Sequence, residues 1–293
     1  MATTAHSEYH KLDLVYLKSI TVGFVDQSHI DSQWESLNFL DRPDMGKALV
    51  EYQEFENIFN RENIGVGHFL KDDTVGMDSI YCRDASIVTD YGVIICNMGK
   101  DGRMTEPAAQ KAIYEKNGIP ILGTIQAPGT LEGGDVAWLD SKTLAVAHGY
   151  RTNQSGFDQL KALLSPHGIN VMQVPLPHYK GPSDVFHLMS ILSPVDKDLA
   201  VVYSPLMPVM FRQLLIDRGY ELVEVPDEEF ESMGCNVLAV SPRSCVMVAG
   251  NPITKSRLEA AGCKVHEYSG NHISVFGGGG PTCLTRPVRR VID

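Results

Sequence analysis

The sequence predicts an α/β protein built from one recurring unit of strand, strand, helix and strand. Two observations predict it. Short apolar runs alternate with amphipathic stretches along most of the chain, and the same order of elements returns at intervals of roughly fifty to sixty residues. A unit that regular closes easily into a ring. Composition does not shift abruptly anywhere, so the 293 residues read as one domain spanning positions 1–293.

The first unit opens at 86–96, SIVTDYGVIIC, two β-rich runs joined at Tyr91-Gly92, a hairpin signal. Glu106-Pro107 then starts a helix in which Pro107 suits the first turn, and Asn117-Gly118 stops it; a strand follows over 119–124. In the second unit, strands at 135–139 and 143–147 flank Asp140-Ser141-Lys142, a helix runs over 156–165 to Gly168, and a strand covers 170–174. The third has strands at 187–192 and 199–203, a helix at 210–218 before Gly219, and a strand at 221–225. The fourth repeats the pattern at 236–240, 245–249, 252–261 and 264–268.

The formal charge of −11 argues against a phosphate-backbone partner, so no nucleic-acid partner is expected, and an acidic field suits a cationic small molecule. Six cysteines at 82, 96, 235, 245, 263 and 283 form no C-x-x-C pair and read as reduced cytosolic thiols rather than a disulfide framework or a zinc site. The first residues contain no apolar signal core, and no run of eighteen apolar residues follows. A cytoplasmic protein that needs no membrane, metal or cofactor is expected, with a homodimer the reasonable assembly for its size.

Cys283 follows four glycines and Pro281-Thr282, with Arg286 close behind. Glycines let backbone and thiol crowd one point, and a cation favours thiolate, so Cys283 is the candidate nucleophile. His187, read as the start of a strand, supplies a base titrating near neutrality. Glu132 and Asp135 flank Gly133-Gly134, and Asp84 stands at the boundary before the first hairpin; either Glu132 or Asp84 could orient the imidazole or bind a cation.

These elements carry a resemblance. Arg83-Asp84, Glu132-Gly133-Gly134-Asp135, Arg151 in Gly149-Tyr150-Arg151-Thr152-Asn153, His187-Leu188, Gly234-Cys235-Asn236 and the glycine run with Cys283 occur in the order seen in guanidino-group-modifying enzymes. The chain resembles the pentein superfamily, and within it the dimethylarginine dimethylaminohydrolases most. The resemblance implies a five-bladed α/β propeller around a central site. It implies that Cys283 attacks a guanidinium carbon, that His187 protonates the departing amine and then activates water, that Glu132 stabilises the imidazolium, and that Asp84 binds guanidinium N–H groups. By position, Asp78 resembles a further substrate contact, and Arg103 and Arg151 a clamp for an α-carboxylate.

Met189 departs from the arginine deiminases and amidinotransferases, which typically carry aspartate two residues after the histidine. Without that carboxylate the pocket suits an alkylated nitrogen, which offers fewer donors. Arg83 stands where some dimethylaminohydrolases have glutamate. The expected activity is hydrolysis of arginine or N-methylated arginine to citrulline and an amine through a covalent thiouronium; arginine deimination with ammonia release and amidino transfer are the alternatives. A binding module that had lost its chemistry would lack the nucleophile or the base, and both are present. The polar segment 25–45 is irregular and suits a lid over the site.

Overall fold

A computed structural model describes residues 2–292. Its strands form five separate sheets. Four are the predicted units, with boundaries within a few residues of expectation except for the opening strand of the third: Ser86–Thr89, Gly92–Ile95, helix Glu106–Lys116 and Ile121–Thr124; Val136–Asp140, Thr143–His148, helix Gln154–Leu164 and Asn170–Pro175; Leu192–Asp196, Leu199–Val202, helix Val209–Asp217 and Glu221–Glu224; Leu238–Ser241, Ser244–Val248, helix Pro252–Ala260 and Lys264–Tyr268. In each, the first two strands pair antiparallel and the third joins the second in parallel across the helix.

The fifth blade is assembled from both ends of the chain. Arg286–Ile292 pairs antiparallel with Lys11–Leu17, which after helix Met45–Arg61 pairs in parallel with Gly65–His68, while Ala2–Thr4 edges the C-terminal strand. Neighbouring blades touch through these innermost strands: Leu192–Asp196 meets Leu238–Ser241, and Arg286–Ile292 meets Ser86–Thr89. The five sheets thus make the expected propeller.

The apolar clusters run from each blade into the next. Tyr16 and Phe69 of the two-ended blade pack with Val88, Val93 and Tyr114; Ile87 and Ile94 pack with Val136, Trp138 and Val146; Ala137 and Ala145 share a cluster with Val201 and Met247. Burying a sheet face against the next blade fixes the blades' relative positions, so segments entering the axis from different blades meet in a defined geometry.

Two expectations change. His187 does not begin a strand. It precedes the short 3₁₀ turn Leu188–Ser190, and the strand starts only at Leu192, because Asp135 Oδ1 accepts from Leu188 N–H at 3.1 Å and Ser190 Oγ accepts from His187 N–H at 3.1 Å. Side-chain acceptors compete there with a sheet ladder. The segment 25–45 is also more ordered than expected: Gln27–Gln33 is helical, capped by Asp26, whose carboxylate accepts from His29 N–H. Among the described residues, no helix is long and apolar enough to cross a membrane.

Candidate active site

One polar residue from each blade reaches the axis, each placed just ahead of that blade's innermost strand: Asp84, Glu132, His187, Asn236 and Cys283. All five are buried, with Glu132 at 0%, His187 at 2% and Cys283 at 7% exposure. Sequence reading singled out four of them for chemistry. Asn236 was visible only as part of a motif, because its partner lies forty-seven positions away: its Nδ2 donates to Cys283 Sγ at 3.3 Å. Its Oδ1 accepts from both Thr282 N–H at 3.0 Å and Thr282 Oγ1 at 2.8 Å, which fixes the amide's orientation towards the sulfur.

The glycines are explained by close approach. Gly278 has φ +70°, and a Cβ on Gly279 or Gly280 would stand 2.5 Å from the Tyr81 ring or 2.6 Å from Asn236 Oδ1. Gly134 is tighter in consequence, since a Cβ there would stand 2.7 Å from both Asp84 Oδ1 and His187 Nδ1. Gly133-Gly134 therefore lets the Glu132 turn pass directly behind the acid and the imidazole.

His187 Nε2 lies 2.7 Å from Glu132 Oε2. Burial disfavours the imidazolium, yet the charges of Asp135 and Asp84 and the bond to Glu132 outweigh it and push His187 up to about 9. Burial likewise acts to raise Glu132, but its bond to His187 and the charges of His187 and Arg151 bring it down to about 2. Asp135, bonded by Thr152 Oγ1 at 2.6 Å, is raised by burial to about 6. The Cys283 thiol is raised by burial and by the Asp84 charge, against hydrogen bonds from Asn236 and Thr282. These surroundings hold His187 as an imidazolium and Cys283 as a protonated thiol.

Asp84 and Arg103 form a buried pair, Nη1 to Oδ2 at 2.6 Å. Arg103 also donates from Nε and Nη2 to Glu106 at 2.9 and 2.8 Å, and from Nη2 to Tyr81 O at 2.8 Å. Arg151 donates from Nη1 to Glu132 Oε2 at 3.3 Å and from Nη2 to Asp184 O at 3.0 Å. Of the two arginines expected as a clamp, Arg103 thus has most of its bonds committed to the site's own acids, and Arg151 has one bond to an acid and one to a backbone carbonyl. Asp84 Oδ1, in contrast, is buried and without a hydrogen-bond partner. Lys100, which no motif flagged, donates to Asp78 Oδ2 at 2.5 Å and to Leu37 O at 2.7 Å.

Two recesses meet at Cys283. A polar one of about 280 Å³ is walled by Asp78, Asp84, Lys100, Arg103 and Arg151. The other, about 940 Å³ and open to solvent, is walled by His187, Met189, Asn236, Tyr179, Phe186 and Phe230, with Asn38 and Leu40 of the 25–45 segment at its rim. Among the described residues, Asp84, Glu132 and His187 are the one trio of potential metal ligands within 4.8 Å of each other. Arg103 and Arg151 already compensate its two carboxylates.

A family model described as N,N dimethylarginine dimethylhydrolase, eukaryotic, matches residues 29–290. An N(G),N(G)-dimethylarginine dimethylaminohydrolase of Streptomyces coelicolor is 30% identical over 220 residues, covering 74% of this chain and 76% of that protein. Among solved structures, the dimethylarginine dimethylaminohydrolase of Pseudomonas aeruginosa, a cysteine-to-serine mutant complexed with citrulline, superposes with a TM-score of 0.75 at 22% identity over 95% of this chain and 99% of that one. The N-terminal domain of ArgZ, a cyanobacterial arginine dihydrolase, superposes with a TM-score of 0.79 at 18% identity over 95% and 97% of the two chains.

Proposed function

The chain belongs to the eukaryotic-type dimethylarginine dimethylhydrolase family, and from that premise we propose that it hydrolyses the substituted guanidino group of N-methylated arginine, releasing citrulline and an alkylamine. The observation that carries this reading is Asp84 Oδ1, a buried carboxylate oxygen without a partner beside His187 in a recess shared with Cys283. An unsatisfied buried acceptor is costly, and a planar cation rich in N–H donors supplies what it lacks.

In this mechanism the substrate guanidinium lies against Asp84 and Asp78 with its central carbon at Cys283 Sγ. Its positive charge favours loss of the thiol proton to solvent, which burial and the Asp84 charge otherwise oppose. The thiolate forms a C–S bond as the C=N π electrons move onto nitrogen. His187, protonated through Glu132, Asp135 and Asp84, gives its proton to the alkylated nitrogen, and the amine leaves with the C–N electron pair. The thiouronium remains on sulfur. Neutral His187 then takes one proton from water as its oxygen attacks the same carbon; the C–S bond breaks with its electron pair on sulfur and the remaining hydroxyl proton passes to solvent, returning thiolate and the ureido group of citrulline. Asn236 Nδ2 stabilises the sulfur anion at both ends of the cycle.

Arg103 and Arg151 serve first to hold Asp84 and Glu132, and contact with an α-carboxylate is secondary to that. Met189, 2% exposed in the apolar wall, supports an alkylated nitrogen over an unsubstituted one. Arg83 takes no part in the recess, because its Nη2 pairs with Glu8 at 2.8 Å. Six unpaired cysteines support a reducing, cytoplasmic location; a homodimer remains part of the proposal, as does closure of the 25–45 segment over bound substrate.

The test is citrulline and amine release from asymmetric dimethylarginine, monomethylarginine and arginine in parallel, with Cys283→Ser as blank. Alkylamine from the methylated substrates is expected. Ammonia from arginine alone would overturn the substrate assignment while keeping the chemistry.

A further inference from the structure

Behind the catalytic residues, three guanidinium groups share the propeller axis with a single carboxylate. Arg83, Arg286 and Arg290 are 1%, 7% and 1% exposed. Glu8 Oε2 accepts from Arg83 Nη2 at 2.8 Å, and Glu8 is the carboxylate whose charge bears on both Arg286 and Arg290. Its other oxygen accepts from Trp138 N–H at 3.3 Å. Arg286 Nη1 donates to Arg83 O at 3.2 Å and Ser86 O at 2.7 Å, and Arg290 Nη1 to His10 O at 2.5 Å and Ala239 O at 2.9 Å. Ser86, Trp138, Ala239 and the two C-terminal arginines lie on innermost strands of four different blades, so the cluster is on the axis. Arg286 and Arg290 face it together because both sit on the C-terminal strand, whose bulges between Pro287 and Arg290 adjust the register.

Five donor atoms in this cluster have no partner: Nε and Nη1 of Arg83, Nε of Arg286, and Nε and Nη2 of Arg290. Three cations against one anion leave two positive charges in the interior, and buried charge without a counter-ion is strongly disfavoured. Neutral water would satisfy donors without cancelling charge. The donors are sealed from solvent, and a monoatomic anion is the counter-ion that needs the least space among them.

We propose that Arg83, Arg286 and Arg290 together hold a monoatomic anion, a halide, on the propeller axis. The site adjoins the nucleophile, since Arg83 N–H donates to Cys283 O at 3.1 Å and the charge of Arg83 bears on the Cys283 thiol. A halide therefore stabilises the fold where the last blade closes and tempers the positive field behind the sulfur.

The test uses bromide as the probe. Crystals of the full chain grown without chloride and soaked in bromide should show one anomalous peak enclosed by the three guanidiniums, and Tm should be higher in bromide or chloride than in gluconate at equal ionic strength. Arg290→Met should weaken halide dependence by about tenfold or more, and Glu8→Gln, which removes the competing anion, should strengthen it by a similar factor. If Arg290→Met fails to fold, the opposite sign expected for Glu8→Gln still decides. Absence of an enclosed bromide peak overturns the proposal, whether or not Tm responds to salt, as does a Glu8→Gln protein whose halide dependence is unchanged or weaker.

Discussion

The Nε2 atom of His187 stands 2.7 Å from Glu132 Oε2 with both side chains sealed from solvent, and this pair sets the protonation state in which the site waits. With His187 raised to about 9 the imidazole is an acid at neutral pH. The alkaline limb of kcat/KM should therefore contain a group titrating well above an ordinary histidine. In Glu132→Gln the charge partner is lost, and kcat should fall by about a hundredfold or more while that limb moves to lower pH. A limb unchanged by Glu132→Gln would remove Glu132 from the assignment.

The same pair makes stability depend on pH. A histidine raised on folding contributes stability that is complete below its unfolded value of about 6.5 and is lost as pH rises towards about 9. Glu132, depressed to about 2, contributes stability above the usual glutamate range, lost as pH falls towards that value. Denaturant unfolding of wild type and His187→Gln from pH 6 to 10 should converge at the alkaline end, where wild type has lost the contribution that the variant never had.

Asp84 joins binding to architecture. Its Oδ2 holds Arg103 at 2.6 Å, and its Oδ1 is unpartnered. Asp84→Asn should raise KM steeply and lower kcat, and by leaving Arg103 less compensated should cost up to about 3–5 kcal/mol of stability. Adding Arg103→Met should recover part of the stability and none of the activity. Full recovery of activity in the double variant would show that Asp84 acts through Arg103 alone.

Much of this arrangement is legible in the sequence, for identifiable reasons. The four internal blades announce themselves because each helix stops at a glycine or asparagine and each strand pair is short and apolar. The fifth does not, since Arg286–Ile292 finds its partner at Lys11–Leu17 only after the ring closes. His187 is misread as strand because the acceptors that turn its backbone, Asp135 and Ser190, include one from another blade. Lys100 and the Asn236 contact carry no local pattern at all. Arg103 is a related case: its position suggests a ligand contact, while its bond to Asp84, nineteen positions away, exists only in three dimensions.

Gly134 tests whether the site is as crowded as its geometry states. A methyl group there would stand 2.7 Å from both Asp84 Oδ1 and His187 Nδ1, so Gly134→Ala must displace one of them. Overpacking of this kind typically costs about 1–3 kcal/mol, which leaves a folded protein to assay. Activity should fall by about a hundredfold, since misplacement on the order of 1 Å has that effect. Gly118→Ala is a control with the opposite character: a Cβ there meets nothing within 4 Å, and its φ of +70° strains the backbone far from the axis. It should lose some stability and keep kcat. If Gly134→Ala retained full turnover, Asp84 and His187 would have room to move, and the rigid placement of Asp84 against the guanidinium and of His187 against the departing amine would be wrong.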